Sequence, residues 1–283
     1  MPASRSRKLW AGRLPAVLAA ALLGGGLLLT AATLHGLRPL PTELPPAAAD
    51  IRKAQLTDRH GVPLTVTYEN DWNVHDRRLL AEIPLLLQQA FIVAEDRRFL
   101  AHRGIDWRAR LAAVWQNLRA RRAVRGASTI SEQVVRMLQP RPRTLWSRWL
   151  EGWEARRLER RFSKAEILEF YLNQVPYAGR RRGVAQAARY YFDRDLSTLA
   201  PQEMLALAVL VRAPSRLDPH ADPDRLRPQL RNLAERMWRA GLLDAVERRH
   251  LAEAPLMLRA PPAPAGRLWG AQRCCLGGRS REG

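Results

Sequence analysis

The sequence predicts a mainly α-helical protein carrying one apolar N-terminal span and a short β-hairpin ahead of the helical part. Three observations predict it. Leu14 to Leu34 is a run of 21 positions without a charge, against the about 20 residues a spanning helix needs. Gln55–Thr57 and Val62–Tyr68 read as two short strands around the turn Asp58-Arg59-His60-Gly61. After Glu82 the apolar residues recur at helical spacing, broken only by Gly, Pro and capping residues.

Charge and cysteine usage narrow the function. The 283 residues hold 47 Lys plus Arg against 27 Asp plus Glu, a formal charge of +20, nearly all of the positive part from arginine. Such a balance calls for an anionic partner: nucleic acid, an acidic membrane surface or a phosphorylated substrate. Arg5, Arg7, Lys8 and Arg13 precede the apolar run and put the N-terminus on the cytoplasmic side. Ala31-Ala32 would suit a cleavage region, but the run exceeds the about 7–15 residues of a signal-peptide core, which favours an uncleaved anchor. The remainder then lies outside the cytoplasm, which argues against nucleic acid. Two adjacent cysteines, Cys274 and Cys275, make neither a disulfide framework nor a metal site, and the six histidines are scattered.

The domain reading follows: cytoplasmic tail 1–13, anchor 14–34, proline-rich extended linker 35–54, helical domain 55–255, and a disordered tail 256–283. Asp106 caps a helix with Trp107, Leu111, Val114, Trp115 and Leu118 on one face, followed by a basic loop to Gly126. Thr129 and Glu132 have capping-box spacing, as do Ser163 and Glu166. Thr144 caps a helix whose buried face would be Trp146, Trp149, Leu150 and Trp153, with Arg148 and Glu151 together off that face. Gly183–Phe192, Pro201–Leu210, Asp224–Arg239 and Asp244–Glu253 are the remaining helices.

One stretch invites chemistry. Ala90–Phe99 is an apolar run ending abruptly in Glu95-Asp96-Arg97-Arg98. Glu95 would end a packed helix, partly desolvated by its neighbours, the setting in which a carboxylate serves as a base. The local pattern alone equally describes a solvated helix end.

Taken together, these stretches resemble the peptidoglycan glycosyltransferase domain of glycosyltransferase family 51, the N-terminal half of class A penicillin-binding proteins. Glu95, Asp96, Phe99, His102 and Gly104 match the signature Glu-Asp-x-x-Phe-x-x-His-x-Gly. Gly126, Ser128, Thr129, Ile130 and Gln133 match a second, and Ile167, Leu168, Glu169, Tyr171, Leu172 and Asn173 match Ile-Leu-Glu-x-Tyr-Leu-Asn. The resemblance covers roughly Gln55 to Leu243, and Trp115–Leu118 with Arg136–Thr144 is most like the 1C type. It implies a lysozyme-like helical domain at the bacterial plasma membrane that polymerises lipid II into glycan strands with inversion. Its partners would be lipid II, the nascent strand, membrane lipid and other wall-synthesis proteins. By motif position Glu95 would be the general base and Glu151 the second glutamate, acting at the donor side. No cofactor is required, and a divalent cation (Mg or Mn) at Glu151 is left open. Arg136 and Arg143 would hold the diphosphate, and Ser128, Thr129 and Gln133 would line the cleft. Arg148 is assigned either to the diphosphate or to a structural pair with Glu151. His102 would be structural.

Three positions depart from the family pattern. Ala112 and Ser147 stand where arginines are usual, and Glu132 replaces a glutamine or apolar residue. Less positive charge and an added carboxylate predict weaker diphosphate binding. No Ser-x-x-Lys occurs, so no transpeptidase is expected. A hydrolase of finished glycan and a non-catalytic scaffold are the competing readings; the arginines favour a diphosphate substrate over the former.

Overall fold

The computed structural model describes residues 5–44, 56, 59, 72–120, 127–212, 217, 219, 222–256, 258 and 259, with backbone alone for 5–15 and 223. Ten α-helices are present among them: α1 (Arg5–Gly36), α2 (Leu85–Glu95), α3 (Trp107–Ala120), α4 (Ile130–Leu138), α5 (Leu145–Arg161), α6 (Lys164–Gln174), α7 (Gly183–Phe192), α8 (Pro201–Leu210), α9 (Arg227–Arg239) and α10 (Ala245–Glu253). The expected hairpin falls almost wholly outside the described residues, as do the basic loop 121–126 and the tail 261–283. Among the described residues there is no strand, only isolated bridges pairing Arg103 with Ile105 and Pro176 with Arg182. The helical prediction stands.

The chain divides into two compact units. One comprises Met1–Ile51 with Glu95–Leu172, the other Arg52–Ala94 with Asn173–Gly283.

In the first unit, α1 contains Ala16–Gly36, long and apolar enough to cross a membrane by length and composition. Its hydroxyls return to their own helix: Thr30 donates to the Gly26 carbonyl at 2.8 Å and Thr33 to Leu29 at 2.7 Å. Bonds of this kind leave no bare polar group in an apolar surround. The stretch from Arg38, expected to be a spacer, is instead fixed: its amide donates to Glu154 at 2.8 Å. α4 packs on α5, with Ile130, Val134, Val135, Leu150, Ala155 and Leu158 buried.

The tryptophan face expected for α5 is only partly right. Leu150 is buried, but Trp146 is 42% exposed. Glu151, expected off the buried face, is itself buried, because it has a cationic partner on α4. The apolar residues of α3 named above are likewise exposed, Leu111 and Leu118 each at 69%.

In the second unit, α8 is the central element, buried continuously from Glu203 to Leu210 with α7 and α9 against it. Pro201 at its first turn and the Glu203 carboxylate on the Ala200 amide (2.8 Å) satisfy its N-terminus. Asn73, Gln174 and Gln186 form a buried amide cluster, in which Asn73 and Gln174 exchange two bonds at 2.8 and 2.9 Å. Asn173 likewise accepts from the Arg78 amide and donates to the Arg78 carbonyl, at 2.8 Å each. At the C-terminal end of α2, Arg212 and Arg236 donate to the carbonyls of Ala94 and Val93, opposing the negative end of the helix dipole.

Gly104 is a position where only glycine fits. Its φ is +83°, and an added Cβ would lie 2.5 Å from the Arg156 backbone nitrogen and 2.7 Å from the Ala155 carbonyl carbon. Backbone cannot swing aside as a side chain can. Gly104→Ala should therefore cost at least ~2 kcal/mol of unfolding free energy by denaturant titration; a change within experimental error would contradict the geometry.

Candidate active site

The site is assembled by α4. Thr129 caps it: the Thr129 hydroxyl accepts from the Glu132 amide at 3.2 Å, and the Glu132 carboxylate accepts from the Thr129 amide at 3.0 Å. The same hydroxyl donates to the Gly104 carbonyl at 2.7 Å, so Thr129 is structural as well as adjacent to the cleft. Such caps are worth about 1 kcal/mol. The first-turn amide of Ile130 donates to Asp96 at 3.0 Å, and Asp96 also holds His102 Nε2 at 2.9 and 3.1 Å. All of Asp96, His102, Thr129 and Glu132 are buried. The structural role expected of His102 matches this geometry.

One and two turns along, α4 presents Gln133 and Arg136. Gln133 Nε2 donates to Glu95 Oε2 at 3.0 Å, and Gln133 Oε1 accepts from the Tyr171 hydroxyl at 3.1 Å. The order has a chemical reason. An ionised carboxylate only accepts, so the amide NH₂ must face Glu95 and its carbonyl the phenol. Tyr171 is buried and was read from sequence only as part of a signature; the signal that it belongs to the site is its place in Ile-Leu-Glu-x-Tyr-Leu-Asn.

Arg136 closes on Glu151, its Nε lying 3.2 Å from both carboxylate oxygens and its Nη2 2.6 Å from Oε2. The bond to Glu151 raises the guanidinium pKa above its ordinary value, ahead of burial, which opposes it. Glu151 thus pairs with Arg136 and not with Arg148. Arg148 is exposed in the first turn of α5, and Arg143 is exposed on the loop joining α4 to α5. Ser128 is half-buried just before the cap. Glu95 with Gln133, and Glu151 with Arg136, are brought together; Arg143 and Arg148 stand open to solvent. A divalent cation does not fit at Glu151 in this arrangement. Arg136 occupies both its oxygens, and among the described residues no group of three or more His, Cys, Asp or Glu side chains converges.

Two of the three departures, Glu132 and Ser147, resolve locally. Glu132 is ion-paired with Arg110, which reaches it from α3, and Gly152 of α5 makes the room: a Cβ there would lie 2.8 Å from the Arg110 guanidinium. The added carboxylate is therefore neutralised by a neighbour two positions from Ala112. Ser147 is buried, its hydroxyl 2.9 Å from that of Thr144, reinforcing the α5 cap.

The chain matches the transglycosylase family over residues 61–238, and it belongs to that family: the glycosyltransferase domain of class A penicillin-binding proteins. It is 36% identical to penicillin-binding protein 1C of Escherichia coli K12 over 170 residues, covering 60% of this chain and 22% of that protein. It is 35% identical to penicillin-binding protein 1A of Aquifex aeolicus over 179 residues, covering 63% of this chain and 25% of the other. The crystal structure of Haemophilus influenzae penicillin-binding protein 1A aligns at a TM-score of 0.41 and 21% identity, covering 70% of this chain and 21% of that one. The chain thus spans about a quarter or less of the length of these relatives.

Burial is the largest influence on Glu132 and pushes its pKa above the ordinary glutamate range, while Arg110 and the Thr129 amide pull it back. The folded state then holds this proton more tightly than the unfolded chain. That contribution is full below the unfolded pKa and is lost as pH rises through the folded one. Glu132→Gln lacks the titration, so its unfolding midpoint should rise relative to wild type as pH increases above the ordinary glutamate range. A pH-independent difference would contradict a buried, titrating Glu132.

Proposed function

We propose that this domain polymerises lipid II into β-1,4 glycan strands, with Glu95 as general base. The observation that carries the reading is the stripe on α4, where Gln133 holds Glu95 and, one turn on, Arg136 meets Glu151. A transfer from a lipid diphosphate needs a base for the acceptor hydroxyl and positive charge for the leaving group. Both are supplied one helical turn apart. The acceptor 4-hydroxyl loses its proton to Glu95 as its oxygen attacks the donor's anomeric carbon. The bond from that carbon to the diphosphate oxygen breaks, and the lipid diphosphate leaves with the electron pair, inverting the centre. Arg136, kept in place by Glu151, and the exposed Arg143 would carry the developing negative charge, with Arg148 available beside them. Ser128 and Thr129 would border the acceptor side.

The same reading gives the chain a place. Ala16–Gly36 would span the plasma membrane with the basic N-terminus cytoplasmic, setting the domain of residues 55–255 on the periplasmic face. The exposed Trp107, Leu111, Trp115, Leu145 and Trp146 suit a surface that touches lipid, where a lipid-linked substrate is found.

Glu95→Gln keeps the shape of the side chain and removes its basicity. It should lower polymerisation of labelled lipid II by at least about 100-fold, with the unfolding midpoint unchanged. Normal turnover by that variant would show that the base lies elsewhere, and absence of polymer from the wild-type chain would favour the scaffold.

A further inference from the structure

The fold holds a second built cluster of polar groups, one turn along α5 from Glu151. Glu154 is fully buried, at 0% exposure, on a helix whose neighbouring buried residues are Leu150, Ala155 and Leu158. Its Oε1 accepts from the Arg38 amide at 2.8 Å and from Arg141 Nη2 at 2.5 Å. Arg141 Nη2 also donates to the Gly36 carbonyl at 2.9 Å. A buried carboxylate in an apolar helix face is costly unless its partners are fixed. Here the partners are the last residue of α1, the backbone just beyond it, and the loop between α4 and α5.

Further bonds run between the same three segments. Gln139 donates to the Pro39 carbonyl, Arg38 Nη1 to the Pro140 carbonyl at 3.3 Å, and Trp149 Nε1 to the Thr33 hydroxyl at 3.0 Å. Gly36 lies against Leu150, where a Cβ would be 3.0 Å from both terminal methyls. A proline-rich stretch leaving a membrane anchor would ordinarily be a free tether. This one is clamped.

We infer that Glu154 and Arg141 are positioning residues that lock the end of the apolar helix to the loop bearing Arg143, and so set where the diphosphate-binding arginine stands relative to the membrane. The inference rests on the glycosyltransferase reading for its functional consequence but not for its geometry. Arg143 is two residues from Arg141 and one before the Thr144 cap of α5. With Arg141 anchored in Glu154 and Thr144 anchored in the helix, the backbone between them has little freedom. Without the lock, Arg143 remains charged but loses its fixed position, so the loss falls on substrate affinity more than on the chemical step.

The test uses the full chain in detergent micelles or membranes. Glu154→Ala strands the Arg141 charge and can unfold the unit. The double variant Glu154→Leu with Arg141→Leu replaces a buried ion pair by an apolar one, a change that folds well elsewhere, while removing both bonds to the backbone of Gly36 and Arg38. Two readouts are taken on this double variant. Hydrogen exchange of the peptide spanning residues 36–44 should speed up at least tenfold. The KM for lipid II should rise at least tenfold with kcat within threefold. Unchanged exchange overturns the lock itself. Faster exchange with unchanged KM overturns its role in positioning Arg143, and an equal fall in kcat at constant KM does the same. Arg143→Ala alone should reproduce the KM rise without the exchange change; if it does not, Arg143 is not what the lock positions. A wild-type chain that makes no polymer would count against the glycosyltransferase reading, and the exchange measurement would still decide the lock.

Discussion

The site depends on the bond between the Asp96 carboxylate and the Ile130 amide. Asp96 follows directly on Glu95, and Ile130 opens α4, so a single 3.0 Å bond sets the start of α4 beside the Glu95-Asp96 pair. The donor is one of the helix amides that no intrahelical carbonyl can satisfy, and a carboxylate is its best partner. Once that point is fixed, the helical repeat does the rest. Gln133 comes round to Glu95 and Arg136 to Glu151, three residues apart each time. His102, within bonding distance of both Asp96 oxygens, keeps the carboxylate from turning, and the Thr129–Glu132 box keeps the first turn wound. Every member of this set is buried or half-buried, where charge-assisted bonds are least screened.

Four acids of the first unit whose side chains are buried each have a cation beside them. Glu132 has Arg110, Glu151 has Arg136, Glu154 has Arg141, and Glu159 has Lys164 at 2.6 Å. This resolves the tension in the sequence between a strongly basic chain and an apparent loss of cleft arginines. The extra carboxylate at Glu132 is absorbed by a compensating arginine on α3, with a glycine on α5 giving it space. What faces solvent near the paired groups is then positive: Arg143 and Arg148 remain exposed.

How much of this could be read from the sequence depends on the range of the interaction. The caps at Asp106, Thr129, Thr144 and Ser163 were legible, because donor and acceptor lie within three residues of each other and residue type nearly determines them. Glu95 was legible through its signature, and its contact with Gln133 joins two motifs 38 residues apart. The partner of Glu151 was not: Arg148 shares its helix and looked nearer, yet Arg136 sits across the α4–α5 packing where no periodicity points to it. The tryptophans of α5 misled for a related reason. Aromatic periodicity marks an apolar face without saying whether protein or lipid covers it, and Trp146 and the α3 face are exposed. Arg110 was invisible as a site residue because its role exists only through Glu132, and Tyr171 was marked only by its place in the Ile-Leu-Glu-x-Tyr-Leu-Asn signature.

Asp96 places the start of α4, and through it Gln133, on Glu95. A double-mutant cycle on kcat/KM for lipid II polymerisation, with Asp96→Ala, Gln133→Ala and the pair, measures this directly. Strong non-additivity is expected: once Asp96 is gone, removing Gln133 should cost little more. Fully additive losses would contradict it, because Gln133 would then serve Glu95 whether or not Asp96 holds the helix.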